Sequence, residues 1–179
     1  MIKTFESVAE FNLNPGESVV ITGDVGCGKT ATILTTIKYV IENNDPADIY
    51  PMTIIMDDPV AIEKLEAILA NVPPEDRKRI TVLNPTFNLD VLFKNIGIRS
   101  KIVFVDAAFS NQSVTSAVQR AKLHALLRIQ CFVITETLQG FESSRTREPR
   151  EPGYLKVNCT KINRTLTYLG NHTDIENME

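Results

Sequence analysis

The chain has 179 residues, 43% hydrophobic and 23% charged, with a net charge of −3. That length and balance fit one domain with a substantial core, and supply no global basic field for nucleic acid. No apolar run approaches the roughly 18 residues of a membrane helix, and the N-terminal stretch from Met1 to Glu6 has no secretory apolar segment.

The first strong element is the β-branched run Ser18–Thr22, introduced by the turn signal Asn14-Pro15-Gly16. Residues 23–30 then read Gly-Asp-Val-Gly-Cys-Gly-Lys-Thr, a full match to the phosphate-loop pattern G-x-x-x-x-G-K-[ST]. Its glycines let the backbone turn and aim amide N–H groups at phosphate oxygens. Lys29 is placed to reach the terminal phosphates, and the Thr30 hydroxyl to ligate Mg²⁺. The helix expected over Ala31–Asn43 points its positive dipole end at the same anion. The expected nucleotide contacts are Gly23, Asp24, Val25, Gly26, Cys27, Gly28, Lys29, Thr30 and Ala31. Cys27 reads as a small filler, with a redox-sensitive thiol as the alternative.

Strand-like and helical runs alternate from there. Met52–Met56 reads as a strand that ends in Asp57-Asp58-Pro59. Val60–Asn71 reads as a helix with Ile62, Leu65, Ile68 and Leu69 on one face, stopped by Pro73-Pro74. Arg79–Leu83 is the next strand, a short helix covers Asn88–Asn95, and Lys101–Asp106 is strand again. Ser113–Ile129 is predicted helical, with Val114, Val118, Ala121, Ala125 and Leu126 facing the core. Cys131–Glu136 is the fifth strand. These strands are apolar throughout rather than alternating, which indicates a parallel sheet of about five strands buried between helices. Tyr154–Thr160 and Thr165–Leu169 alternate around Asn163-Arg164, as a C-terminal β-hairpin does. Residues 1–170 are read as one domain and 171–179 as a polar tail. The three cysteines, Cys27, Cys131 and Cys159, are far apart and odd in number, which fits a reducing cytoplasm.

Asp106 is the second chemical signal. A carboxylate at the C-terminal end of a parallel strand sits beside the phosphate loop, where it can hold Mg²⁺. Glu136 ends the fifth strand and is the favoured group for activating the attacking water, with Asp57 and Asp58 as competitors. The stretch Ser143–Arg150 carries Arg145, Arg147 and Arg150. Arg145 or Arg147 could neutralise transition-state charge on a neighbouring copy's nucleotide. His124 and His172 have no ligand-spaced partners, so no metal site is assigned to side chains alone.

Gly23–Thr30 and Ile102–Asp106, followed by the polar-ended strand Phe132–Glu136, resemble the RecA-like and AAA+ branch of P-loop ATPases. The resemblance covers roughly residues 10–140. It implies an α/β, three-layer P-loop NTPase fold with a mainly parallel sheet and an extra strand between the loop strand and the Asp106 strand. It also implies ATP and Mg²⁺ as cofactors and a homo-oligomeric ring in which Arg145 or Arg147 acts in trans. The residue after Asp106 is Ala107, so the catalytic base must come from elsewhere in the chain. The small size and terminal hairpin are similar to compact viral genome-packaging or translocating ATPases. That likeness implies a motor acting on nucleic acid, a portal or capsid partner, host cytoplasm and no membrane. A small-molecule or nucleotide kinase and a slow nucleotide-dependent assembly switch are the alternatives. Nucleic-acid-stimulated ATP turnover separates the motor from the kinase.

Overall fold

The computed structural model describes residues 1–4, 12–23, 28–84, 89–106, 111–137, 154–159, 166–168 and 173–175. The turn before the first strand forms as its residues dictate. Glu17 donates its amide to Asn14 at 3.1 Å, and Gly16 takes φ 90°, which its missing Cβ permits. β1 (Ser18–Gly23) leads to α1 (Lys29–Asn43), then α2 (Pro46–Ile49) and β2 (Met52–Met56). α3 (Pro59–Leu69), α4 (Pro74–Arg77) and β3 (Ile80–Leu83) follow, then α5 (Leu89–Asn95) and β4 (Ile102–Asp106). α6 (Asn111–Arg128) precedes β5 (Cys131–Thr137), β6 (Tyr154–Cys159), β7 (Leu166–Tyr168) and β8 (Thr173–Ile175).

Among the described residues one sheet joins eight strands in the order β3-β2-β4-β5-β1-β6-β7-β8. β1 to β5 pair only in parallel, and β5 lies between β1 and β4, the position expected for the extra strand. β6 extends the parallel set on the other side of β1 and then forms an antiparallel pair with β7. The expected terminal hairpin is therefore present, and its first strand is also a sixth parallel strand. β8 pairs antiparallel with β7, within the stretch read from sequence as a polar tail.

Alternation along the buried strands divides the core in two. Ile102, Phe104, Cys131 and Val133 face Ile33, Ile37, Leu65 and Leu69 of α1 and α3. Val103, Val105, Phe132 and Ile134 face Phe93 of α5 and Ala117, Ala121 and Ala125 of α6. These are the helix–sheet–helix layers of an α/β fold. On α3, Leu65 and Leu69 are buried as expected, and Ile62 and Ile68 pack partly buried against the same cluster. On α6, Val118, Ala121 and Ala125 are buried, but Leu126 is 56% exposed. The alanines at 117, 121 and 125 recur every four residues and set the inward stripe. Leu126 stands about 100° further round the helix and leaves the core. The side chain of Val114 lies outside the described residues.

Candidate functional site

The site forms where β1, β4 and β5 end and α1 begins. Gly28 precedes α1 with φ 104° and ψ 17°, a left-handed conformation that favours glycine. Its carbonyl accepts from both the amide and the hydroxyl of Thr32 at 2.9 Å, which fastens the loop's last residue to the helix. α1 has no side-chain cap and no acid in its first turn. The positive end of its dipole therefore suits an external anion. Lys29, in that first turn, is buried, and Ala31 is exposed. Gly23 ends β1; residues 24–27, the remainder of the expected cradle, lie outside the described residues.

Asp106 closes β4 on the sheet face that α1 covers. Thr135 donates from Oγ1 to Asp106 Oδ1 at 2.8 Å, and the Thr30 hydroxyl also hydrogen-bonds the carboxylate. Burial pushes the Asp106 carboxyl above its ordinary value. The hydrogen bonds from Thr135 and Thr30 oppose that rise, Asp57 adds to it by like-charge repulsion, and Lys29 opposes it by attraction. So Lys29, Thr30, Asp57 and Asp106, named separately from sequence, fall within one electrostatic neighbourhood. A buried lysine, a threonine hydroxyl and a carboxylate at an uncapped helix start fit a magnesium-bound polyphosphate.

Mg²⁺ bound together with a nucleotide would need few ligands from the protein. Among the described residues no group of three or more His, Cys, Asp or Glu is arranged to hold a metal alone.

No family profile and no curated protein matches the chain. Among solved structures, a KaiC-like protein of the hyperthermophilic archaeon Pyrococcus horikoshii OT3 superposes with a TM-score of 0.60 at 14% identity. The match covers 100% of this chain and 91% of that one. The chain has a RecA-like P-loop fold.

Within this RecA-like P-loop fold the polar residues at the strand ends separate by face. Thr135 shares the Asp106 face, as its hydrogen bond shows. Glu136 is the next residue along β5, so alternation turns it to the α5–α6 face, beside Thr22 of β1 in the register. Asp57 is exposed just beyond β2, whose Met56 pairs with Asp106. Asp58 serves the fold instead, because its carboxylate accepts from the Val60 amide at 3.1 Å and caps α3. Thr135 was legible only through parity, since counting in twos from Cys131 gives the residues that share one side. Arg145 and Arg147 lie outside the described residues. Among the described residues no helix is long and apolar enough to cross a membrane.

Proposed function

We propose that this chain is an ATP-hydrolysing motor that acts on nucleic acid as a homo-oligomeric ring. The observation that carries the ATPase part is Asp106, half-buried at the end of β4, held by two threonine hydroxyls, and set beside the buried Lys29 at an uncapped helix start. Lys29 and the first-turn amides of α1 would bind the phosphates of ATP, and Thr30 and Asp106 would hold Mg²⁺. Mg²⁺ held by Thr30 and Asp106 would supply charge neutralisation to the phosphoryl group being transferred. Thr135 and Thr30 keep the Asp106 carboxylate aimed and favour its ionised form against burial.

The catalytic base is assigned to Asp57 ahead of Glu136. Asp57 feels the charge of Asp106 and is open to solvent, so it can accept a proton from water beside the nucleotide. Glu136 starts from the other face of the sheet. Arg145 or Arg147 of an adjacent copy would supply positive charge to the transition state. The small size and terminal hairpin are what speak for a viral packaging or translocation role, with a portal or capsid partner in host cytoplasm.

The test is ATP turnover with and without single- and double-stranded DNA and RNA, paired with molecular mass in solution. Turnover stimulated by a polymer supports the motor. Phosphate transfer to a nucleoside or nucleotide in place of hydrolysis overturns it.

A further inference from the structure

The α5–α6 face of the sheet ends in an apolar surface that the fold leaves uncovered. α6 turns alanines inward, with Ala117, Ala121 and Ala125 fully buried, and turns leucines outward. Leu123, Leu126 and Leu127 are 52%, 56% and 74% exposed. Their spacing of three and four residues makes them one ridge. The ridge continues into Ile129 and Ile98, both about 70% exposed, which line the same cavity. Arg128 and Gln130 donate to the carbonyls of Ile96 and Gly97 at 3.3 and 2.8 Å, which ties that turn to the helix end. Ile129 also sits at φ 56°. That left-handed conformation strains a β-branched residue and suits glycine. An apolar side chain that is both strained and exposed points to a contact made there.

Charge selects what the ridge fits. Residues 89–131 carry six Lys and Arg against two acids, Asp90, which pairs with Arg120, and Asp106, which belongs to the nucleotide site. Ridge-to-ridge pairing of two copies would set these cations against each other, a costly juxtaposition. Nucleic acid would leave five large aliphatic side chains in water. The opposite helical layer has the complementary sign: residues 42–76 carry nine acids, Asp57 of the nucleotide site among them, against one lysine. Of the cations that follow, Arg77 and Arg79 donate to the carbonyls of Ile80 and Tyr50 at 3.1 and 3.2 Å. On α3 and its C-cap, Val60, Glu63, Lys64, Glu66, Ala67 and Ala70 are exposed. Small side chains rimmed by carboxylates can receive a leucine ridge rimmed by cations.

We propose that the α6 ridge docks on the α3 face of a second copy of this chain, head to tail. The two surfaces lie on opposite faces of the sheet, so each copy offers one of each. Such a heterologous contact propagates into a ring or a filament. The proposal gives the ring invoked above a specific interface and rests on that reading only in requiring a second copy.

The test uses the full chain without nucleotide, so it can fail while the ATPase reading stands. Sedimentation is followed from about 1 to about 100 µM, spanning contacts of ordinary strength. The wild type is expected to assemble as concentration rises. Leu126→Glu/Leu127→Glu and, separately, Glu63→Lys/Glu66→Lys should weaken assembly about 30-fold or more. All four positions are exposed, so thermal melts should not change; Leu127→Ser substitutes if the leucine pair misfolds. Mixing the two double variants decides the geometry. Each keeps one intact face, so the mixture should stop at a one-to-one dimer. A wild type that stays monomeric leaves the ridge to some other partner and overturns the proposal. So does undiminished assembly of the α3 variant, or a mixture that forms no dimer.

Discussion

Thr135→Val keeps the size and branching of a buried side chain and deletes a hydroxyl that bonds Asp106 at 2.8 Å, leaving the Thr30 bond in place. A hydrogen bond to a charged acceptor contributes about 1.5–3 kcal/mol, which converts to roughly 10- to 150-fold in an equilibrium constant. Partners that orient metal ligands are worth a similar 10- to 100-fold in affinity or activity. The bond favours the ionised carboxylate, so losing it raises the Asp106 pKa further and frees the group to rotate. Thr135→Val should therefore need about 10- to 100-fold more Mg²⁺ for half-maximal ATP turnover. Thr135→Ser should stay near the wild type. Mn²⁺ binding in the presence of a non-hydrolysable ATP analogue, read by electron paramagnetic resonance, gives the affinity apart from catalysis. Equal Mn²⁺ affinity and equal Mg²⁺ dependence in the Val variant would refute the positioning role of Thr135.

Asp106→Asn should stabilise the nucleotide-free protein at neutral pH while removing its activity. The folded protein holds the Asp106 proton to higher pH than the unfolded chain does, because burial outweighs the favourable contacts. Stability from this group therefore falls as pH rises above its ordinary value of 3.8. The melting advantage of the Asn variant should close below that pH, and an advantage that grew with acid would contradict the assignment. For the base, Asp57→Asn should bind ATP normally and lose turnover about 100-fold or more, whereas Glu136→Gln should lose far less. The reverse order in single-turnover hydrolysis would return the role to Glu136.

The strand before the phosphate-loop motif and the helix after it were legible because the motif's residues dictate that setting. Gly28 has to turn left-handed, Lys29 has to reach, and the first turn has to lack acids. The five central strands were legible because β-branched runs buried on both faces admit little else. α3 ends before Pro73-Pro74 as expected, but Pro46 and Pro74 each also open a short helix that the sequence reading did not include, a position where the missing amide costs nothing. β6 could be read as one arm of a hairpin, but its parallel pairing with β1 joins residues more than 130 apart and leaves no local trace. Leu126 was read as core because leucine is greasy, whereas the neighbouring alanines decide which side of α6 faces in. Glu136 stood out as a carboxylate at a strand end, while Thr135, one residue earlier, has the right parity.

The most direct test of the central claim, that Lys29, Thr30 and Asp106 form one seat for magnesium-bound ATP, is calorimetric titration of MgATP into the wild type and Lys29→Ala. One site per chain in the wild type is expected, with loss of that binding in Lys29→Ala and an unchanged circular dichroism spectrum. Absence of binding by the wild type, or undiminished binding by the Ala variant, would contradict it.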